Sequence, residues 1–231
     1  MSTFDLLGRT SQLHIYSPGS TLESLLRPWL DFFCRDMGYE VVFHAFSPNH
    51  SEVIYDDRSV TVSTIPLKHR VPCCGFLFRE KAPLPHIRRD MIDFLHIPFY
   101  AINSIKEGND WTDANGRLWT TAELTVAPSA PSRSYAYCSD TMPQEKVVEL
   151  VRGVNVLYHE ATFGSDAESR ARETGHSTAA QAAEVAAKAE VDRLVIGHFS
   201  ARYDDENVLL KEAKAAFLHT ILAREGMKIE V

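Results

Sequence analysis

Four apolar segments of this sequence each end in a residue that can bind a metal or transfer a proton. The residues at these ends are His69, Asp140, Glu160 and His198. Each segment is rich in Val, Ile, Leu and Tyr and has the length of a β-strand. Because chemistry in open α/β sheets gathers beyond the carboxyl ends of the strands, we expect these residues to converge on one site. The pattern is typical of a metallohydrolase.

His69, Asp140 and His198 are the candidate metal ligands. Taken singly, each has a simpler interpretation: a histidine at a strand end is often a hydrogen-bonded surface group, and an aspartate before a helix is often an N-cap. Together, two imidazoles and one carboxylate form a ligand set that zinc and manganese accept. A carboxylate can also bridge two cations, which hydrolytic sites hold about 3.5–4 Å apart.

Glu160 and His176 form a second candidate group. His176 lies just before Thr178, which with Gln181 makes a capping-box pattern at the start of a helix. The histidine could help to cap that helix, or it could lie where backbone N–H groups favour a phosphate. A carboxylate paired with it would orient the ring and stabilise its protonated form, as a general acid requires. His159 should point to the opposite side of the strand from Glu160, so we interpret it as structural.

Strands and helices alternate from residue 134 onward, which indicates an α/β layered architecture. The predicted strands are residues 12–16, 40–46, 51–55, 59–65, 74–78, 135–138, 154–158 and 193–197, with a final hairpin of 220–223 and 227–231. The predicted helices are residues 21–37, 144–152, 166–173, 178–189 and 206–217.

Residues 80–133 interrupt this alternation and predict an insertion. The segment contains several prolines, two short helical patterns at 87–95 and 101–106, and a turn-like stretch at 113–116. Its basic residues either form a solvated helix face or provide a contact surface for a phosphate backbone. These residues are Lys81, His86, Arg88, Arg89 and Lys106.

Bulk properties exclude several classes of protein. The 231 residues suit one large domain or two small ones, and the charge of −7 argues against broad binding to RNA or DNA. An acidic chain can still bind one polyanion through a local basic patch. No apolar run is long enough for a transmembrane helix and the N-terminus does not resemble a secretory signal, so we expect a cytoplasmic protein. The four cysteines show no C-x-x-C pair and are expected to be reduced thiols.

Five motifs contain or adjoin the candidate residues: Leu67–Pro72 (LKHRVP), Tyr137–Thr141 (YCSDT), His159–Phe163 (HEATF), His176–Ala183 (HSTAAQAA) and His198–Tyr203 (HFSARY). Together they resemble the ribonuclease Z family, tRNA 3′-processing endonucleases of the metallo-β-lactamase fold. The resemblance implies an αββα sandwich, with His69, Asp140 and His198 binding zinc, or alternatively manganese. It implies that Glu160 and His176 transfer protons.

The same resemblance implies partners. Residues 80–133 would be the family's flexible arm, which clamps precursor tRNA, with Lys81, Arg88, Arg89 and Lys106 as the contacts. The protein would form a homodimer. From its hydropathy and acidic charge we expect binding to neither membrane nor DNA. The arm departs from the family in lacking a Gly-Pro pair.

The largest departure from the family is that these residues contain no His-x-His-x-Asp-His motif. We therefore expect Met1 to be an internal methionine or the start of a truncated product, in which the single domain of residues 1–231 is incomplete. Each of two cations would keep about two protein ligands, fewer than the three that a catalytic zinc usually has. We expect weak metal binding, poor cleavage and an exposed apolar face or sheet edge that promotes association.

Two other functions remain open from the sequence. One is a different phosphodiesterase of the metallo-β-lactamase fold that acts on a small ester. The other is a non-catalytic fragment or pseudoenzyme that binds RNA or a partner subunit.

Overall fold

The computed structural model of the chain describes residues 1–128 and 130–231. They form two compact units, one of Met1–Arg79 with Arg133–Val231 and the other of Glu80–Ser132. The bounds of the second unit lie within one residue of the predicted insertion. Its role as a substrate-binding arm stays a prediction.

Strands and helices follow one another in mixed order along the chain. The strands are β1 (Leu13–Pro18), β2 (Val41–Phe46), β3 (Val53–Asp56), β4 (Val60–Pro66), β5 (Cys74–Glu80), β6 (His86–Ile87), β7 (Trp111–Thr112), β8 (Leu118–Trp119), β9 (Thr125–Val126), β10 (Ser134–Cys138), β11 (Val156–Glu160), β12 (Arg193–Gly197) and β13 (Thr220–Leu222). The helices are α1 (Ser2–Leu6), α2 (Thr21–Phe33), α3 (Arg89–Leu95), α4 (Phe99–Lys106), α5 (Thr121–Leu124), α6 (Glu145–Leu150), α7 (Glu168–Thr174), α8 (Ala179–Lys188) and α9 (Asn207–Ala216), with a 3-10 turn at Ser165–Ala167.

The main sheet of the first unit has seven strands in the order β13-β12-β11-β10-β5-β4-β3. Strands β10 to β13 are parallel, and β5 runs antiparallel to β10. Cys138 lies beside His159, and Glu160 lies beside Gly197 on the next strand. The carboxyl ends of β10, β11 and β12 therefore meet at one edge of the sheet, as the sequence predicts.

Helix α8 packs on β11 and β12 through a face of small side chains. Ala179, Ala182, Ala183 and Ala186 on this face are fully buried. Alanine is the best helix former and its short side chain lets the helix approach the sheet closely. The predicted capping box is present: the Thr178 hydroxyl accepts from the Gln181 N–H, and the side-chain carbonyl of Gln181 accepts from the Thr178 N–H. A cap of this kind stabilises a helix by about 1 kcal/mol.

A second, two-stranded parallel sheet is formed by β1 and β2. Helix α2 lies on this side of the unit, and the guanidinium of Arg27 stacks over Phe43 of β2. Within α2, every residue of which the structure describes, no side chain is buried. The helix instead exposes a stripe of large apolar side chains at helical spacing, here called the α2 stripe: Leu25, Trp29, Phe32 and Phe33.

The second unit, residues 80–132, has a small core of its own. Ile97, Ala101, Ile105 and Leu124 are buried together in it. Strands β7 and β8 form a hairpin across the predicted turn, where the carboxylate of Asp113 accepts hydrogen bonds from two backbone N–H groups.

Two predicted elements are wrong in extent or in kind. Helix α2 ends at Phe33 rather than at residue 37, because the backbone leaves helical geometry at Cys34. The final hairpin does not form: residues 227–231, all described, contain no strand. Strand β13 instead pairs in parallel with β12, and this pairing satisfies the backbone groups that the predicted hairpin would have paired with residues 227–231.

In the part of the chain that the structure describes, no helix combines the length and apolar character needed to cross a membrane.

Candidate active site

The three predicted metal ligands come together at the carboxyl edge of the main sheet. His69 follows β4, Asp140 follows β10 and His198 follows β12. Nε2 of His198 lies 3.3 Å from Oδ1 of Asp140. Ligand atoms of His69, Asp140 and His176 all lie within 4.8 Å of one another, and the same holds for Glu160, His176 and His198. Residues far apart in sequence thus form one cluster of nitrogen and oxygen donors.

Two of these predicted ligands have left-handed backbone conformations. The φ angle is 59° at Asp140 and 61° at His198. Residues other than glycine rarely adopt this region, and it is enriched at functional sites that the surrounding structure holds in place. At Asp140 the carbonyl oxygen accepts a hydrogen bond from the Cys73 thiol at 3.2 Å. The chain therefore turns sharply at both strand ends, which keeps each side chain over the sheet edge.

The imidazoles of both candidate ligands, His69 and His198, are anchored through Nδ1. Nδ1 of His69 donates to the carbonyl oxygen of Gly175 at 2.9 Å, and Nδ1 of His198 lies 2.9 Å from the hydroxyl of Thr162. This arrangement leaves Nε2 of each ring available, as in metal sites where an outer hydrogen bond orients the ligand. Gly175 adopts φ 81°, and a β carbon there would lie 2.9 Å from Nδ1 of His69.

The residues present fit a divalent cation of the zinc or manganese type. Two oriented imidazoles and one carboxylate match the donor types of such sites. The side chains of His198 and Asp140 are 42% and 45% exposed, so a cation has access to them from solvent.

Glu160 is the centre of a buried hydrogen-bond network. Its carboxylate is fully buried and accepts from the backbone N–H groups of Thr141 at 2.6 Å and Ser177 at 3.2 Å. It also accepts from the hydroxyl of Thr162 at 2.5 Å and from Nδ1 of His176 at 2.8 Å. A buried carboxylate requires such compensation for lost hydration. The predicted pair of Glu160 and His176 is therefore in direct contact, with the ring of His176 13% exposed.

His159 lies away from this network, as predicted from its strand position. It is fully buried, and its Nδ1 lies 2.8 Å from the carbonyl oxygen of Glu160. Its Nε2 meets no hydrogen-bond partner among the described residues. Burial holds the pKa of His159 below its usual range, so the ring is a neutral component of the core.

Several residues of the site were missed from sequence. Thr141, Thr162, Gly175 and Ser177 hold the candidate ligands and the Glu160 carboxylate through hydrogen bonds. Thr141, Thr162 and Ser177 lie within the motifs quoted from the sequence, and Gly175 directly precedes His176, which is the signal that could have found them. From sequence alone, Cys73 is expected to be a plain reduced thiol. Burial, and next the carboxylate of Asp140, raises the pKa of Cys73, which makes it a hydrogen-bond donor rather than a nucleophile.

The predicted substrate contacts lie in the second unit. Lys81, Arg88 and Arg89 are exposed and Lys106 is partly exposed. Nη2 of Arg88 pairs with the carboxylate of Asp90 at 2.7 Å. Residues 80–132 contain five Lys and Arg but seven Asp and Glu, so this unit has a net charge of −2. The expected basic surface is therefore balanced by acidic residues, and any phosphate contact must be local.

Comparisons with known proteins give consistent matches. A family described as "Beta-lactamase superfamily domain" matches residues 102–199. Ribonuclease Z of Bacteroides fragilis (strain YCH46) is 55% identical over all 231 residues, which cover 75% of that protein. Ribonuclease Z of Porphyromonas gingivalis (strain ATCC BAA-308 / W83) is 44% identical, also over the whole chain and 75% of that protein.

Solved structures extend the likeness to the fold. The short form of human tRNase Z matches with a TM-score of 0.61 and 20% identity, over 99% of this chain and 70% of that one. The metallo-β-lactamase fold protein YhfI from Bacillus subtilis matches with a TM-score of 0.59 and 15% identity, over 97% of this chain and 68% of that one. At these identities the likeness establishes the fold alone, and the predicted metallo-β-lactamase fold is confirmed.

Proposed function

This chain belongs to the ribonuclease Z family, and we propose that its reaction is the metal-dependent removal of the 3′ trailer from precursor tRNA. Ribonuclease Z is a tRNA 3′-processing endoribonuclease, so the chemistry is hydrolysis of a phosphodiester bond. One observation carries the proposal: three metal-type ligands and a buried carboxylate–imidazole pair converge at one edge of the sheet.

In this proposal, His69, Asp140 and His198 hold the cation, for which zinc is our first choice and manganese the alternative. A divalent cation bound there would supply Lewis-acid activation of water and would neutralise charge on the phosphodiester. The hydrogen bonds of the two rings to Gly175 and Thr162 would hold both imidazoles in place beside Asp140. These side chains would then be ordered before the substrate binds, so ordering them adds no entropy cost to the reaction.

Glu160 and His176 provide the acid in the proposed mechanism. The carboxylate of Glu160 binds Nδ1 of His176 at 2.8 Å and so directs Nε2 of the ring away from the core. We assign to Nε2 of protonated His176 the transfer of a proton to the departing 3′ oxygen. Such a positioned acid contributes about 10²–10⁴-fold to a rate. Burial of Glu160 excludes water from the pair and fixes the orientation of the ring.

We also propose that a polypeptide of these 231 residues holds metal weakly and cleaves RNA poorly. The support is its donor set, since it contains no His-x-His-x-Asp-His motif to add to the three ligands. Metal analysis after gel filtration tests this point. Two tightly retained zinc ions per chain would overturn it.

Cleavage assays in excess zinc or manganese test the reaction itself. We expect residual cleavage of precursor tRNA at the 3′ trailer, lost in His176→Ala and after addition of a chelator. Preferential turnover of bis-p-nitrophenyl phosphate would favour a phosphodiesterase that acts on small esters. RNA binding without any cleavage in saturating metal would favour a non-catalytic protein.

For the substrate, we propose that Lys81, Arg88, Arg89 and Lys106 contact precursor tRNA. Two observations support this: these side chains are exposed or partly exposed, and they lie in a separate compact unit. That unit occupies the position in the sequence at which the family has its arm. The variant Arg89→Ala should raise KM for precursor tRNA and leave turnover of bis-p-nitrophenyl phosphate unchanged. The exposed Lys228, in the other unit, gives the matched control Lys228→Ala. Equal KM in the variant and the control would count against the contact.

We propose a homodimer that buries the α2 stripe. Leu25, Trp29, Phe32 and Phe33 are each more than 60% exposed, and contiguous apolar patches on a surface mark interaction sites. Analytical ultracentrifugation should show a dimer that Trp29→Glu converts to monomer. Phe99→Glu, at a side chain 87% exposed in the second unit, should leave the dimer intact. A wild-type monomer would refute this proposal.

The proposed compartment is the cytoplasm. All four cysteines are free thiols, which suits a reducing environment. Fractionation of cells that produce the tagged protein would test this, and recovery in a secreted or membrane fraction would contradict it.

A further inference from the structure

We propose that Thr162 is a positioning residue that selects the tautomer of His198 and couples this ligand to the Glu160–His176 pair. The importance of this tautomer for catalysis rests on the proposed function. The geometry and the first test of the inference are independent of whether the protein cleaves RNA.

The hydroxyl of Thr162 lies between two groups of the site. Its Oγ1 is 2.5 Å from Oε2 of Glu160 and 2.9 Å from Nδ1 of His198. Thr162 is 7% exposed, so water is largely excluded from these contacts. A third neighbour, Nδ1 of His176, is 3.4 Å away, too long to compete with the other two.

The chemistry of the hydroxyl decides the direction of both hydrogen bonds. A hydroxyl has one proton to donate and lone pairs with which to accept. The carboxylate of Glu160 accepts on both oxygens, since each already receives a backbone N–H, from Thr141 or Ser177. The Thr162 proton therefore goes to Glu160, as the 2.5 Å separation of a charge-assisted bond indicates. Its oxygen must then accept from His198, so the proton of the neutral ring is on Nδ1.

This tautomer matters because the other ring nitrogen, Nε2, faces the carboxylate of Asp140. Nε2 of His198 lies 3.3 Å from Oδ1 of Asp140. With the proton held on Nδ1, Nε2 presents a lone pair on the side of Asp140, as a metal ligand requires. Without the Thr162 hydroxyl the ring is free to carry its proton on Nε2, where it blocks coordination. Loss of such an outer partner typically lowers metal affinity about 10–100-fold.

The backbone around Thr162 is held independently of its side chain. The Ser200 N–H donates to the Thr162 carbonyl at 3.0 Å, and the Ala161 N–H donates to the Gly197 carbonyl at 2.8 Å. On the other side, the Phe163 N–H donates to the Ser177 carbonyl at 3.3 Å. Replacing the threonine by the isosteric valine therefore removes the hydroxyl and keeps the loop in place.

The experiment compares Thr162→Val, Thr162→Ser and the matched control Thr220→Val. Thr220 is also buried, and its hydroxyl donates to the carbonyl of Phe217, away from the site. The first measurement is nitrogen-detected NMR of the His198 ring in metal-free protein, at a pH where the ring is neutral, with His198→Gln for assignment. The second is competition between each protein and a chelator for zinc.

We expect the wild-type, Thr162→Ser and Thr220→Val proteins to carry the His198 proton on Nδ1. Thr162→Val should shift it toward Nε2 and lower zinc affinity about 10–100-fold relative to wild type. A wild-type ring protonated on Nε2 overturns the inference at once, whether or not the valine variant folds. An unchanged tautomer in Thr162→Val also overturns it. Absence of tRNA cleavage in all proteins would refute the proposed function and leave the tautomer result standing.

Discussion

Replacing Glu160 by glutamine tests whether the buried carboxylate organises the site. The backbone N–H groups of Thr141 and Ser177 donate to different oxygens of Glu160. Glutamine has an NH₂ group in place of one oxygen, so in either orientation one backbone N–H faces another donor. The backbone cannot rotate to relieve this contact, unlike the hydroxyl of Thr162.

The expected loss of stability follows from these contacts. A buried donor left unsatisfied costs about 1–3 kcal/mol, and a lost hydrogen bond to a charged group about 1.5–3 kcal/mol. Because the two effects overlap, we expect the free energy of unfolding of Glu160→Gln to fall by about 2–5 kcal/mol. His176 also loses its charged partner, so activity should fall with stability.

Urea denaturation of metal-free protein, followed by circular dichroism, measures this change. Glu145→Gln is the control, because its carboxylate pairs with Lys188 at 2.8 Å but is 76% exposed. Surface substitutions of this kind usually change stability by less than about 0.5 kcal/mol. If Glu160→Gln unfolds with the free energy of wild type, the carboxylate does not hold the site together and the reasoning is wrong.

Three further predictions concern backbone packing, stability in acid and zinc binding. Gly75→Ala should lower the free energy of unfolding by about 1–3 kcal/mol in urea denaturation, because the new β carbon would overlap a backbone carbonyl oxygen of β10. Hydrogen bonds to Asp57, first from the backbone N–H of Ser59, lower its pKa. This stabilisation is complete above the unfolded pKa of about 3.9 and is lost as pH falls toward the folded value, so Asp57→Asn should flatten the acid limb of Tm against pH. Gly175→Ala should weaken zinc binding in chelator competition, because its β carbon would press on Nδ1 of His69 at 2.9 Å.

A control variant and a contradicting result can be stated for these three predictions. Gly226 also has positive φ, at 73°, but a β carbon there meets no atom within 4 Å among the described residues. Gly226→Ala should therefore show only the strain of the left-handed backbone, about 1–2 kcal/mol, with unchanged zinc affinity. Equal zinc affinity in Gly175→Ala, wild-type stability in Gly75→Ala, or an acid limb as steep in Asp57→Asn as in wild type would each contradict the corresponding prediction.

Local sequence signals predicted the elements well where they are strong. The apolar run at 193–197 coincides with β12, and the helix predicted at 178–189 differs from α8 by one residue at each end. In both cases the deciding interactions are within the element: alternating or continuous apolar residues for the strand, and an alanine-rich run with a capping box for the helix.

Prediction failed where a distant segment competes with a local one. A hairpin is the pattern of residues 220–223 and 227–231. In the structure, however, the first of these segments forms β13, which pairs in parallel with β12. The basic residues of 80–132 similarly suggested a positive surface, whereas the acidic residues interspersed with them reverse the net charge.

The sequence by itself determined which donor groups this protein has and which strands end in them, because residue type and hydrophobic period are local properties. It also determined family membership, because the motifs are distinctive. Only the tertiary structure decided which nitrogen of each histidine is free and which groups hold the Glu160 carboxylate. The physical reason is separation along the chain: Gly175, which anchors His69, lies 106 residues from it, and Thr162 lies 36 residues from His198. Packing of β4, β10, β11 and β12 into one sheet brings these partners within hydrogen-bond distance, and no local pattern encodes that proximity.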